Sequence, residues 1–253
     1  MDHALLKRGW QLEQDAARIH GWDFSHIEGR YAQEGELPWE YGALVREYLR
    51  PEMKLLDIDT GGGEFLLSLN HPHANTAATE AFAPNVVLCR QVLGSLGVDF
   101  CEARGEGPLP WPDNSFDIVL NRHGSYCAAE YFRVLRPGGL FITQQVGAMN
   151  DRELVDLICP GVSEHFEGNW LSDARAEFET AGFAIVREGE AFQPIRFFDI
   201  GALVWFARII EWEFVGFSVD THFDRLLEAQ RSLQENGSVD GRAHRFLLVA
   251  RKP

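Results

Sequence analysis

A glycine-rich turn gives this sequence its first chemical signal. The apolar run Lys54–Asp59 breaks into Thr60-Gly61-Gly62-Gly63, and a helical pattern starts at Glu64. Glycine adopts backbone angles that are closed to other residues, and it lets a ligand approach the main chain closely. In open α/β sheets, ligands bind beyond the carboxyl ends of the strands. The turn therefore fits either a nucleotide-type cofactor loop or a plain tight turn.

A carboxylate follows at the distance that cofactor-binding α/β units use. Glu80 comes about 20 residues after the turn, at the end of a second predicted strand, where acidic side chains bind ribose hydroxyls. A lone glutamate is often just a solvated surface group, but its place in this pattern favours cofactor binding. NAD-type oxidoreductases share both features, so the turn and the acid do not identify the cofactor.

One histidine and several aromatic residues are candidates for chemistry or substrate contact. His123 follows the fourth predicted strand, and its intrinsic pKa suits a general base at neutral pH, although a loop histidine also fits a structural role. Aromatic stripes occur both in cores and in substrate-binding walls. The candidate walls are Tyr31, Trp205 and, as the preferred choice, Trp39, which shortly precedes the glycine turn. Further aromatics of the same two regions are Trp10, Trp22, Phe197, Trp212 and Phe217.

Two arginines and two histidines give weaker signals. Arg30 and Arg196 suit an anionic substrate group, but isolated arginines usually lie at the surface. His165 and His222 lack the spacing of metal ligands. No metal site is predicted.

Strands alternate with helices around these residues. Strand patterns occupy 54–59, 75–80, 98–103, 116–120 and 140–143, with helical patterns from 64, over 84–96 and over 126–135. This alternation predicts a mostly parallel sheet covered on both faces, a Rossmann-like three-layer α/β sandwich. Residues 151–253 add helices near 151–158, 172–181, 199–210 and 221–236, a strand from 183 and a last strand over 244–250.

The lack of a Pro/Gly/Ser-rich linker predicts one domain over residues 1–253. Its expected parts are an N-terminal helical cap (1–50), a cofactor-binding core (51–150) and a C-terminal half (151–253). That last half carries a substrate-side helical insertion over about 199–237.

The charge balance bears on possible partners. The net charge is −15, with 38 acidic and 23 basic residues. Because nucleic-acid affinity depends on neutralising phosphates, this balance argues against a DNA or RNA substrate. The N-terminus lacks the apolar core of a signal peptide, and the most apolar window, 201–210, is too short for a bilayer. Four widely spaced cysteines suit a reducing compartment. We expect a cytoplasmic protein without membrane association.

Two further motifs make a family recognisable. They are Leu109-Pro110-Trp111-Pro112-Asp113-Asn114-Ser115-Phe116-Asp117 and Val134-Leu135-Arg136-Pro137-Gly138-Gly139-Leu140. With the glycine turn, they resemble the class I S-adenosylmethionine-dependent methyltransferases, particularly the small methyltransferase-11-like group, from about Lys54 to Val146. The resemblance implies a seven-stranded sheet whose last strand, here His244–Ala250, is antiparallel. It also implies S-adenosylmethionine as the cofactor.

The resemblance also implies roles for individual residues. Asp57, Gly61 and Gly63 would surround the methionine part of the cofactor, Glu80 would hold the ribose hydroxyls, and Ala81 would lie beside the adenine. Glu106 would approach the adenine amino group, with Glu102 as the competing register. Asn121 would face the reactive centre, with His123 near the transferred methyl group; Pro137-Gly138-Gly139 would form a structural turn.

One position departs from the family pattern. Asp59 stands where the family has the first glycine of its loop. Aspartate tolerates a left-handed backbone, so the turn can persist. Its carboxylate could face the ammonium group of the cofactor, face the cofactor carboxylate, or point aside.

These features predict methyl transfer from S-adenosylmethionine to a small-molecule acceptor. The Asn-Pro-Pro-Tyr motif of enzymes that methylate exocyclic or amide nitrogens is absent, which disfavours nucleobase amines as acceptors. The alternatives are a non-catalytic S-adenosylmethionine-binding module and an NAD-type oxidoreductase. The sequence leaves the acceptor atom and the oligomeric state open.

Overall fold

The computed structural model describes residues 2–18, 24–163 and 168–253. The chain divides into two compact units. The first unit comprises Met1–Leu37, Ala148–Gly168 and Phe192–His244, and the second comprises Pro38–Gly147, Asn169–Ala191 and Arg245–Pro253. The single domain expected over 1–253, with its three parts, stays a prediction.

Helices and strands alternate through most of the chain. The helices are α1 (His3–Ala16), α2 (Tyr41–Tyr48), α3 (Glu64–Ser68), α4 (Ala83–Ser95), α5 (Ala128–Val134), α6 (Arg152–Ile158), α7 (Leu171–Thr180), α8 (Ile200–Ile209) and α9 (Phe223–Asn236). The strands are β1 (Tyr31–Gln33), β2 (Leu55–Ile58), β3 (Thr76–Glu80), β4 (Asp99–Glu102), β5 (Phe116–Arg122), β6 (Leu135–Val146), β7 (Ala184–Phe197) and β8 (Val239–Arg251).

The strands form one mixed sheet in the order β1-β7-β8-β6-β5-β2-β3-β4, and β7 and β8 contribute to both units. Neighbours among β6, β5, β2, β3 and β4 pair in parallel, whereas β8 pairs antiparallel with β6. The predicted Rossmann-like α/β fold with an antiparallel last strand is confirmed.

In the described part of the chain, the sheet has one strand more than the seven expected. The extra strand, β1, lies in the N-terminal segment that the sequence predicted to be helical, so that local prediction is wrong. Tyr31 of β1 lies opposite Phe197 of β7 in an antiparallel ladder. Three residues pair here with a partner more than 160 positions away, and such long-range pairing leaves no periodic signal in the sequence.

The glycine turn rests on the core of the second unit. All four residues of β2 are buried, as expected of a strand covered on both faces. The aromatic rings of Phe141 and Phe178 stack at 4.6 Å within this core, and Tyr131 packs on Phe141 at 5.1 Å. This packing fixes the strand from which the turn departs.

In the first unit, α8 is a core helix. Every residue of α8 except Arg208 is buried, and its side chains pack with Trp10, Phe197 and Phe214. The apolar window 201–210 noted in the sequence lies almost entirely in this helix. Among the described residues, none of the helices has both the length and the apolar character needed to cross a bilayer.

Candidate functional site

Asp59 and two residues of the glycine turn adopt left-handed backbone angles. The φ values are 54° at Asp59, 65° at Gly61 and 87° at Gly63, where α3 begins. A Cβ at Gly63 would approach Cδ2 of Leu93 to 2.9 Å, so helix packing also requires a glycine there. Asp59 accommodates the left-handed angle, and the turn therefore persists despite the missing glycine.

Hydrogen bonds to the Glu80 carboxylate link the glycine turn to the end of β3. The backbone N–H of Gly61 donates to Glu80 Oε2 at 2.8 Å, and the N–H groups of Ala81 and Phe82 each donate to Oε1 at 2.8 Å. The Glu80 residue is only 6% exposed. A carboxylate has about four lone-pair sites, so three backbone bonds orient it and leave acceptor capacity for a ligand hydroxyl.

Asp57 lies beneath the turn. It is buried, and its Oδ2 accepts a hydrogen bond from Thr60 Oγ1 at 2.6 Å. Burial, together with the charges of Asp59 and Glu80, raises the pKa of Asp57 to about 7, although the Thr60 bond opposes this shift. The ends of β2 and β3 thus concentrate negative charge.

The Asp59 carboxylate points toward two glycines in neighbouring loops. A Cβ added at Gly105 or Gly124 would lie 2.8 Å or 2.6 Å from Asp59 Oδ2, and the Gly105 backbone hydrogen-bonds this carboxylate. Burial, then the charges of Glu80 and Glu106, raise the pKa of Asp59 to about 7. Which group of a cofactor Asp59 would face stays a prediction.

Glu106 and Glu102 differ in their surroundings. Glu102 lies on β4 and is exposed, with its carboxylate held by Arg90 at 2.5 Å. Glu106 is also exposed but lies close enough to Asp59 to raise its pKa. The structure thus brings Glu106 toward the turn, while the adenine-binding role stays a prediction.

Asn121 links the ends of three strands. It lies opposite Ile58 in the parallel β2–β5 ladder. Its Nδ2 donates to Ser125 O at 3.2 Å, and its Oδ1 accepts from Gln145 Nε2 at 2.6 Å. The side chain is fully buried and occupied by protein groups, so it holds the loop after β5 in place. Its predicted approach to the reactive centre of a cofactor is untested.

His123 is the next residue but one, with a left-handed φ of 60°. Its Nε2 lies 3.1 Å from Gln144 Nε2, and Gln144 Oε1 accepts the indole N–H of Trp39 at 2.8 Å. His123 is solvent-accessible, yet surrounding protein lowers its pKa to about 3 by desolvation, assisted by the charges of Arg245 and Arg122. The ring is therefore neutral at physiological pH. A group with so low a pKa is a weak base, and the general-base role stays a prediction.

The predicted substrate-wall aromatics lie in packed surroundings. Trp39, in the second unit, is 9% exposed and packs on Gly189, where a Cβ would lie 3.1 Å from the indole ring. Tyr31 and Trp205 lie in the first unit: Tyr31 stacks on Phe197 at 5.9 Å, and Trp205 is 2% exposed. Substrate contact by these three residues stays a prediction.

The remaining aromatic candidates divide between core and surface. Trp10, Phe197 and Phe217 are buried in the core, and Trp212 is 36% exposed. Trp22 and His165 lie outside the described residues.

The candidate arginines are engaged by carboxylates. Arg30 forms two hydrogen bonds of 2.7 Å with Asp199 and an ion pair of 2.8 Å with Glu13, and Arg196 pairs with Glu34 at 3.0 Å. Within the described ranges, no group of three or more His, Cys, Asp or Glu side chains could hold a metal ion.

The sequence analysis did not identify Gln144, nor the two glycines that face the Asp59 carboxylate, Gly105 and Gly124. Gln144 and Gln145 interrupt the apolar run of β6 at its carboxyl end, and both are buried. The available signal in the sequence was a pair of amide side chains in a buried strand, because buried polar groups require hydrogen-bond partners.

The chain is similar to known proteins over part of its length. Residues 56–143 match the family described as "Methyltransferase domain". A phthiotriol/phenolphthiotriol dimycocerosates methyltransferase of Mycobacterium tuberculosis is 38% identical over 88 residues, which is 32% of this chain and 32% of that protein. A fatty-acid O-methyltransferase of Mycolicibacterium smegmatis is 32% identical over 89 residues, again 32% of each chain. The match thus spans about a third of the length of these relatives.

The fold likeness extends further along the chain. A protein from Bacillus halodurans C-125, proposed to be a methyltransferase, superposes with a TM-score of 0.59 at 19% identity. The superposition covers 84% of this chain and 98% of that one. The segment that matches the methyltransferase-domain family, residues 56–143, contains the glycine turn, Glu80 and Asn121.

Proposed function

We propose that this protein transfers a methyl group from S-adenosylmethionine to a small-molecule acceptor. The observation that carries the proposal is the set of hydrogen bonds that orients the Glu80 carboxylate. A carboxylate at the carboxyl end of β3 is oriented by three backbone N–H groups, one of them from the glycine turn, inside the segment that matches the methyltransferase domain. This is where α/β folds hold a ribose.

The electrostatics of the turn suit a cationic ligand. Asp57, Asp59, Glu80 and Glu106 interact closely enough to raise the pKa values of Asp57 and Asp59. S-adenosylmethionine carries a sulfonium and an ammonium group, and the sulfonium already activates the methyl carbon toward a nucleophile. An excess of carboxylates would favour that charge.

The protein side chains would then act by binding and positioning. Glu80 would hold the ribose hydroxyls, with Gly61 and Gly63 leaving the backbone open to the ligand and Glu106 near the adenine. Asn121 keeps the loop after β5 in register with the turn through Ser125 and Gln145. Positioning of this kind supplies a large part of the rate in a displacement reaction.

The acceptor belongs to the proposal as well. Two relatives are named for lipid or fatty-acid methylation. The match to each of them covers about a third of this chain. We propose a small molecule as the acceptor and a cytoplasmic location, which the four free cysteines support.

An acceptor screen tests the proposal. The purified chain is incubated with methyl-labelled S-adenosylmethionine and a panel of carboxylic acids, alcohols and amines. We expect label transfer that requires an added acceptor and drops with Glu80→Ala. Cofactor binding without transfer to any acceptor would instead indicate a non-catalytic binding module. Stabilisation by NADH but not by S-adenosylmethionine would favour an oxidoreductase.

A further inference from the structure

The hydrogen-bond chain Trp39–Gln144–His123 determines where the His123 proton lies. An indole N–H can only donate, so the Gln144 atom that faces Trp39 at 2.8 Å must be the amide oxygen. The other end of the amide, its NH2 group, then faces His123 Nε2 at 3.1 Å. An NH2 group donates as well, so Nε2 must be an acceptor and carries no proton.

The backbone of His123 is also held in place. The backbone N–H of His123 donates to Gln144 O at 2.9 Å, and the residue keeps its left-handed φ of 60°. Such angles are uncommon for residues other than glycine, and they persist where the surroundings enforce them. The neutral ring therefore carries its proton on Nδ1. Among the described residues, no acceptor is within hydrogen-bond distance of Nδ1, and the residue is solvent-accessible.

Two arginines influence the His123 ring. Arg122 and Arg245 both act on His123 electrostatically. The Arg122 guanidinium lies over the rings of Tyr41 and Phe65, 5.7 Å and 5.4 Å from their centroids, and no carboxylate of the described residues is within ion-pair distance of it. An N–H donor on a ring that the Arg122 charge influences suits an anionic oxygen.

We propose that His123 is a fixed hydrogen-bond donor, held as the Nδ1–H tautomer by Trp39 and Gln144, that binds a carboxylate group of the acceptor substrate. The substrate part of this inference rests on the proposed methyl transfer. His123 then determines which acceptors bind rather than removing a proton from them. A carboxylate is already ionised at neutral pH, so His123 need not remove a proton from such a substrate in order to bind it.

The tautomer is tested first, by NMR of the protein with ¹⁵N-labelled histidine at neutral pH and without cofactor. We expect His123 to be neutral with its proton on Nδ1. His71 is an internal reference for a protonated Nε2, because its Nε2 must donate to Met53 O at 2.9 Å. In the isosteric variant Gln144→Glu, a carboxylate faces Nε2, and we expect the His123 proton to move there. A wild-type His123 protonated on Nε2, or on both nitrogens, would overturn the inference.

The ligand class is tested on the same protein with acetate as the probe and acetamide as the neutral control, at constant ionic strength. We expect acetate to shift the His123 Nδ1 resonance saturably and acetamide to leave it unchanged. Gln144→Glu should weaken acetate binding by about tenfold or more, since it removes one hydrogen bond to a charged group. Equal responses to both probes, or no saturable response, would refute the carboxylate assignment. Neither measurement needs S-adenosylmethionine, so failure here is distinct from failure of the proposed function.

Discussion

Replacing Glu80 by alanine is expected to weaken S-adenosylmethionine binding by about 1–3 kcal/mol, the cost of leaving hydrogen-bonding groups unpaired. This corresponds to about 5- to 150-fold in affinity. The effect has two sources. The variant removes the acceptor for the ribose hydroxyls, and it also frees the backbone N–H groups of Gly61, Ala81 and Phe82. Isothermal titration of wild type and variant measures the change.

Two variants serve as controls for this prediction. Glu102 lies opposite Glu80 in the β3–β4 ladder, is exposed and pairs with Arg90, so Glu102→Ala removes the same charge away from the turn. We expect it to bind the cofactor as wild type does. Glu80→Gln keeps the shape and one acceptor oxygen, and its affinity should fall between those of wild type and Glu80→Ala. An unchanged affinity in Glu80→Ala would refute the ribose assignment.

Replacing Asp59 by asparagine is expected to stabilise the cofactor-free protein at pH 8 but not below pH 4. The pKa of Asp59 in the folded protein is about 7, above the value of about 3.9 for an unfolded aspartate. Protonated Asp59 therefore contributes its full stabilisation of the folded protein below pH 4. This contribution is lost as the pH rises from there through 7. Asparagine tolerates the same left-handed φ and carries no charge. Thermal unfolding of both proteins across this pH range measures the difference.

The same substitution should have the opposite effect on cofactor binding. A cationic ligand favours the ionised carboxylate, so wild-type affinity for S-adenosylmethionine should rise between pH 6 and pH 8, with release of protons. Asp59→Asn should reduce both the pH dependence and the affinity at pH 8, by about tenfold if the carboxylate lies near a cofactor charge. Tighter binding by Asp59→Asn at pH 8 would mean that Asp59 faces the cofactor carboxylate instead.

Much of the fold follows from local sequence patterns. The short apolar run of β2, its glycine turn and the helical pattern from Glu64 predict the first strand, turn and helix at nearly their observed bounds. The last antiparallel strand is observed over Val239–Arg251, which includes the predicted 244–250. These elements are predictable because a buried strand and a glycine turn each leave a signal within a few neighbouring residues.

The residues of the candidate site could be predicted only where they lie at the ends of neighbouring strands. Asp57, Glu80 and Asn121 come together because β2, β3 and β5 are parallel neighbours. The contacts of His123 with Gln144, and of Gln144 with Trp39, join residues 21 and 105 positions apart. Only the folded chain brings these residues together, so the sequence carries no signal for either contact.

Isothermal titration of the purified chain at pH 8 with S-adenosylmethionine, and separately with S-adenosylhomocysteine, tests the central claim most directly. We expect one molecule of S-adenosylmethionine per chain with a Kd of about 1–100 µM. We expect weaker binding of the demethylated product, because it lacks the sulfonium charge that the carboxylates at the turn favour. Absence of binding by both compounds at millimolar concentration, with the protein folded, would contradict the proposed cofactor site.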